Sequence, residues 1–508
     1  MVHGIAQCAG QDAAGVALTD GTTQWTWPQL NSILNRTVHW LTSRSVEPGQ
    51  RVAVMAENSA HAALAHLAVT YAGISAVPVN YHLTAAETGY ILRDAAVHTV
   101  LCSARTAATA RAADPGVTVV AWGSPDADGV EDFDRVVQRH ADTEPPCDIR
   151  PARPLYYTSG TTGLPKGVEL PEQMFPTGES MVDHVERVRA APFRTPGKHL
   201  IVAPMHHTGP ITGVRGLVTG NPVVILPKFD AEAVLAAIAT HRIETTMMVP
   251  THFARMLALP KEIRDRHDVS SVRSIIHTGA ACPEHVKRAM IEWFGPVLVE
   301  AYGSTEVGTV TTIASAEWLA HPGSVGKGLP GVEVTIRGDD GAVLGTGESG
   351  LVCVQWTTGH RPEYHGDPAK TRGSYVADGV FAIGEIGHLD ADGFLYLTDR
   401  ASDMVVSGGV NVYPAESEAV LRTHPGVSDV AVIGIPHDDL GEQLCALVQA
   451  EPGTQPAELI AWCRERLTHY KCPNVVELVD FELRSAMGKV NKRQLRRQYL
   501  SNQEPVCH

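Results

Sequence analysis

Between residues 51 and 103 the apolar pattern changes period several times. "RVAVM", "SAVPVN" and "HTVLCS" are short runs rich in β-branched and apolar residues, bounded by polar positions, and such runs read as buried strands. Between them, the segment from about Ser59 to Ala72 is rich in Ala, and "TAAETGYILRDA" spaces its apolar residues at helical intervals. Strands that alternate with helices in this way predict a parallel sheet covered by helices.

The alternation returns from Lys198. "HLIVAP", "PVVIL", "ETTMMVP", "VRSIIHTGA" and "VLVEAYGSTE" read as strands with helical stretches between them. Asp230 stands where an N-cap should, ahead of "AEAVLAAIATHR". The two α/β blocks are alike in pattern but share no repeated sequence. From about Gly331, "VEVTIR", "GDDGAVLGTGESG" and "LVCVQW" predict hairpin-rich antiparallel structure. The last hundred residues predict a small α+β domain: helix "PAESEAVLRTH", strands "VSDVAVIGIP" and "QLCALVQA", helix "AELIAWCRERLTHY". The junction falls near "TDRASDMVVSGG", giving an expected large domain over 1–400 and a small one over 401–508.

Composition narrows the class. With 508 residues, 44% apolar and 19% charged, the chain has room for a large core. A net charge of −15 excludes an extended nucleic-acid or anionic-membrane surface. No stretch nears the roughly 20 apolar residues of a membrane span. The start, "MVHGIAQCAGQDAAG", lacks a basic region followed by an apolar one. The nine Cys are scattered singly. Both features predict a cytoplasmic protein with reduced thiols.

Four stretches carry candidate chemistry. In "LYYTSGTTGLPKGVEL", a strand end leads into Thr158, Ser159, Gly160, Thr161, Thr162 and Gly163, with Lys166 beyond. Hydroxyl and backbone donors around one Lys suit phosphate, although the spacing is not that of a P-loop. In "EAYGSTEVG", Tyr302 beside Gly303 can flank a base, Thr305 can donate to a phosphate, and Glu306 offers oxygen to Mg²⁺. "GEIGHLDADGFLYLTDR" supplies Glu385 and Arg400, an acid and a base able to grip a ribose. "RSAMGKVNKRQL" places Lys489 after a Gly and before a basic helix start. The His206–His207 pair has no carboxylate or Cys at ligand spacing, so a metal is not expected there.

In this order and spacing, the four stretches resemble the adenylate-forming superfamily of acyl-CoA synthetases, peptide-synthetase adenylation domains and luciferases, over nearly the whole chain. "HTGAAC" is similar to that family's adenine loop and "APMHHTG" to its acyl-pocket segment. The resemblance implies two α/β subdomains plus a small β-barrel-like one, followed by a mobile α+β lid. It implies ATP, Mg²⁺ and coenzyme A. An acid and ATP would give acyl-AMP and pyrophosphate, and a thiol would then displace AMP.

By resemblance, Lys489 bridges the acid and the α-phosphate, with Thr305 on that phosphate and Glu306 on Mg²⁺. His207 lies in the acyl pocket near the reacting carboxylate. Gly279, Ala280 and Ala281 shape the purine slot beside Tyr302 and Gly303. Glu385 and Arg400 take the ribose. The loop from Thr158 to Lys166 takes the β- and γ-phosphates. Ser402 aligns with the hinge, and Ser407, Gly408 and Gly409 face the coenzyme.

Two departures stand out. Ile383-Gly384-Glu385 replaces the usual Thr-Gly-Asp, and "VELPEQM" lacks the family's Thr-His pair. A separate carrier protein could supply the thiol in place of coenzyme A, and a nucleotide binder without catalysis is a third reading. Because "HHTGPITGVRG" is rich in small residues and no cation is obvious in the pocket segments, the expected acid is hydrophobic: aryl, cyclic or fatty.

Overall fold

The computed structural model describes residues 4–44, 50–158, 165–191, 196–338, 340–400, 403–407, 410–437, 440–485 and 488–503. The first α/β block forms a wholly parallel five-stranded sheet in the order Ser75–Pro78, Arg51–Met55, Thr99–Ser103, Thr118–Trp122, Val130–Asp132. Helix Ala60–Tyr71 leaves Arg51–Met55 and is buried on nearly every side. It packs on helices Trp27–Ser43 and Thr208–Arg215. A helix enclosed all round must be apolar all round, and its run of Ala lets the neighbouring helices approach.

The second block supplies six parallel strands in the order Leu298–Ser304, Ser274–His277, Thr245–Met248, His199–Ile201, Val223–Ile225, Val16–Thr19. Asp230 is the N-cap of helix Ala231–His241, accepting from the Ala233 N–H at 2.9 Å. The N-terminal strand Val16–Thr19 pairs Leu18 with Val223, a partner some two hundred positions away that local pattern does not announce. Past Leu298–Ser304 the same sheet turns antiparallel through Gly308–Ala314, Ser324–Gly328, Leu395–Arg400, Val380–Leu389, Gly350–Trp356 and Val332–Arg337. The hairpin-rich segment is thus a continuation of the second sheet.

The last part of the chain has its own sheet. Val427–His437 and Gly441–Ala450 pair antiparallel, Val475–Leu478 joins parallel, and the hairpin Val405–Ser407/Val410–Val412 forms one edge. Helices Pro414–Leu421, Pro456–Arg464 and Lys492–Gln503 accompany it. Among the described residues, no helix is long and apolar enough to cross a membrane.

Candidate active site

The Gly- and Thr-rich loop joins a β-hairpin, not a strand to a helix. Leu155–Thr158 pairs antiparallel with Lys166–Glu169, Thr158 opposite Lys166. Ser159, Gly160, Thr161, Thr162 and Gly163 lie outside the described residues. The Lys166 ammonium stands 2.5 Å from Asp367 Oδ2. That hydrogen bond, foremost, holds the Asp367 carboxyl below its usual range. Asp367 also caps helix Pro368–Gly373, accepting from the Lys370 N–H. The Lys370 ammonium sits 4.1 Å from the Tyr364 ring centroid, and burial with the nearby Lys166 charge lowers its pKa. The His365 N–H donates to Gly167 O at 2.8 Å, so this segment docks on the hairpin.

Strands Leu298–Ser304 and Gly308–Ala314 carry the second stretch. At Gly303 a Cβ would lie 1.8 Å from Gly308 O. Only glycine lets the two strands close here, and the turn at Thr305 and Glu306 depends on it. The Thr158 hydroxyl donates to Glu306 Oε1 at 3.4 Å, joining the two hairpins. Burial and the facing Glu306 carboxylate push the Tyr364 phenol up. The Tyr302 hydroxyl donates to Glu385 Oε2 at 3.1 Å. Glu385 is in register with Arg400, whose side chain lies outside the described part.

Asn58, buried, fixes the acyl-side segment. Its amide donates to Ala203 O at 2.9 Å and Leu226 O at 3.2 Å, and its oxygen accepts from the Met205 N–H at 2.8 Å. This holds His206 and His207 just ahead of helix Thr208–Arg215, with their rings 4.3 Å apart. Burial, then the Lys489 charge, pushes His207 down to about 4. Burial, with His207 and His82 beside it, pushes His206 to about 2. Both imidazoles are neutral at pH 7.

Lys489 comes from the last sheet's domain, on a loop held from both sides. Arg484 grips both Asp429 oxygens at 2.7 and 3.0 Å and donates to Gly488 O at 2.9 Å. The Ser485 N–H donates to Lys489 O at 2.9 Å. Beyond it, Lys492 meets the buried Glu418 at 2.9 Å. Gly488 has φ +70°, and a Cβ there would lie 2.4 Å from Thr251 Oγ1. The loop therefore touches helix Pro250–Leu257 of the large part at a residue where any side chain would push it away.

One cleft of about 2240 Å³ brings Thr158, His207, Gly279, Gly303, Thr305 and Lys489 onto a common surface. Lys166, Glu306, Tyr302 and Glu385 are not in its wall; Lys166 and Glu306 meet it through Thr158, and Tyr302 precedes the wall residue Gly303 in the chain. Ala280 and Ala281 follow Gly279 away from the wall, and Ser407 lies on the edge strand, while Asp403, Met404 and Val405 do line the cleft. Gly408 and Gly409 are outside the described residues.

Comparison with known proteins covers most of the chain. The AMP-binding enzyme family matches residues 5–358, and the AMP-binding enzyme C-terminal domain matches residues 416–489. The chain belongs to the AMP-binding enzyme family. The long-chain-fatty-acid–CoA ligase FadD13 of Mycobacterium tuberculosis is 33% identical over 487 residues, covering 93% of each chain. The fatty acid–[acyl-carrier-protein] ligase ScoC of Streptomyces coeruleorubidus is 32% identical, covering 94% of this chain and 92% of that one. Among solved structures, ATP-bound MatB from Rhodopseudomonas palustris superposes with a TM-score of 0.82 at 28% identity, covering 99% and 100% of the two chains.

In this AMP-binding enzyme, the two hairpins meet at the Thr158–Glu306 hydrogen bond. Glu306 with the Thr158 hydroxyl is a hard-oxygen donor set of the kind Mg²⁺ takes. Three groups in this AMP-binding enzyme were not singled out from sequence: Asn58, the Lys370–Tyr364 pair and Arg215. The Asp-Pro at 367–368 was a readable helix start. Asn58 gave no local signal, since its partners lie more than a hundred residues away. Arg215 corrects the expectation of pocket segments free of cations: it is 6% exposed and lines the cleft.

Proposed function

We propose that this AMP-binding enzyme is an AMP-forming acid–thiol ligase that acts in the cytoplasm. The acid's carboxylate attacks the α-phosphate of ATP, forming acyl-AMP as pyrophosphate leaves. The sulfur of coenzyme A then attacks the acyl carbon, and AMP leaves with the bonding electrons. The observation that carries the reading is the shared cleft of Lys489, His207 and Thr305, with the Lys489 charge felt at the His207 ring. Attack brings two anions together, and a preorganised ammonium between them offsets their repulsion.

Lys489 would bridge the acid and the α-phosphate, with Thr305 donating to the latter. His207, neutral, can exchange a hydrogen bond with the carboxylate without adding charge. Thr158 through Gly163 and Lys166 would take the leaving phosphates, Lys166 exchanging Asp367 for them. Glu306 would hold Mg²⁺, which when bound neutralises phosphate charge. Gly279 to Ala281 with Tyr302 and Gly303 would frame the adenine, and Glu385 with Arg400 the ribose. Residues 401–508 would act as the lid over an adenylating domain of 1–400, turning near Ser402 so that Ser407, Gly408 and Gly409 meet the coenzyme.

The test is acid-dependent exchange of pyrophosphate into ATP. Lys489→Ala should lower it by about 10²–10³, the loss expected on removing one preorganised donor. No exchange by the parent protein with any acid would overturn the reading. The ScoC relative supports a second acceptor, a carrier-protein phosphopantetheine. Product that forms with a pantetheinylated carrier and not with coenzyme A would select it.

A further inference from the structure

Arg215 closes helix Thr208–Arg215. Its guanidinium has five N–H donors. Among the described residues, Nη1 donates to Met174 O at 2.6 Å, Nη2 donates to Thr212 Oγ1 at 2.8 Å, and Nε has no partner. The Phe175 ring lies 4.8 Å away. Burial lowers the pKa only to about 10, so the group is charged at pH 7. No carboxylate among the described residues lies within ion-pair distance. Glu172, on the same wall, accepts from the N–H and hydroxyl of Thr177. Tyr156, a residue of the same cleft wall, adds a second orphan: its hydroxyl is buried without a partner among the described residues.

A charge kept out of water without a counter-anion is costly, and two orphan donors on one wall imply an oxygen that comes with the substrate. The helix from Thr208 to Arg215 is 8 residues long, a rise of about 12 Å. Its start carries His207, beside Lys489, and its end carries Arg215. We propose that Arg215, with Tyr156, is a specificity-determining residue. It accepts an acid whose largely apolar body ends, at the far side from the reacting carboxylate, in an acceptor oxygen, a carboxylate or a ketone. This rests on the ligase reading for the identity of the near end. The span is too long for a short diacid.

The test uses three probes of one length: decanoate, its keto analogue with the carbonyl next to the terminal methyl, and decanedioate. Each is measured by pyrophosphate exchange and, separately, by calorimetric binding of the acid without ATP. The parent should favour an oxygenated probe over decanoate by at least about tenfold in kcat/KM and in affinity, because a site with buried donors rejects a ligand that leaves them unpaired. The better of the two oxygenated probes names the group. Arg215→Met should bring the ratio to near one, and Arg215→Lys should retain part of it. A parent ratio under about twofold, or equal losses for all three acids in Arg215→Met, would overturn the proposal and leave Arg215 as a brace for Met174 and Phe175. Selective binding without exchange would leave the proposal standing while the ligase reading fell.

Discussion

Among the described residues of the large part, Lys287 and Arg215 are buried cations, and their surroundings differ in kind. Lys287 is fully buried, 2.5 Å from Glu300 Oε2 and 4.6 Å from the Trp318 ring centroid. It ties helix Glu284–Phe294 to strand Leu298–Ser304. Arg215 is almost as deeply buried, faces the cleft, and has only a carbonyl, a hydroxyl and a ring. Burial lowers the Lys287 pKa, and the Glu300 charge opposes that. A guanidinium does not discharge at neutral pH. The first arrangement is complete within the protein, whereas the second is completed from outside.

The largest effect should come from breaking the complete pair. Glu300→Gln leaves Lys287 buried without its counter-charge, and should lower stability in urea by about 3–5 kcal/mol. Lys287→Met with Glu300→Leu should recover most of that, ending within roughly 1 kcal/mol of the parent. A single substitution that costs less than the double one would dissolve the contrast with Arg215.

Glu418, in the last sheet's domain, extends the comparison with the charges reversed. Burial would raise its carboxyl, but Lys492, Arg422 and the Val432 N–H outweigh that and hold it below the usual range. The sign follows. Glu418 stabilises fully above its unfolded value of about 4.3, and the contribution fades as pH falls through the lower folded value. Glu418→Gln should therefore cost about 2–4 kcal/mol at neutral pH and progressively less below pH about 4. A gap that widens on acidification would contradict the ion-pair account. Because Lys492 lies three residues past Lys489, the variant should also slow exchange at saturating acid.

Without ligand, Arg215→Met should change stability by no more than roughly 1 kcal/mol, since the two lost hydrogen bonds are offset by relief from an unpaired charge. A loss as large as that of Glu300→Gln would mean that Arg215, too, is completed within the fold.

That contrast also marks what the sequence could tell. Short apolar runs located many of the strands, and Asp230 announced its helix, because those signals are local. Pairing of Leu18 with Val223 is not local, and neither is the Asn58 anchor. The loop glycines and Lys489 were legible because their chemistry needs fixed residue types at fixed spacing. Arg215 was hidden in "HHTGPITGVRG" by its small neighbours. An arginine in a string is by default a surface residue, and only the packing of Phe175, Met174 and Thr212 around it shows that this one is enclosed. The Lys166–Asp367 pair was hidden for a related reason, its two residues lying far apart in the chain.

The smallest effect concerns the near end of the same helix. Burial first, and Lys489 second, keep His207 neutral down to about pH 4. Imidazole NMR of the free protein should show that titration, identified by its absence in His207→Asn. Lys489→Ala removes the second cause and leaves the first, so the midpoint should move upward and still stay below 6.5. No movement would mean that Lys489 stands away from His207 in the free protein. The cleft between His207 and Arg215 would then be bounded by a charge at its far end only, and the lid would have to close after the acid had already been read by Arg215.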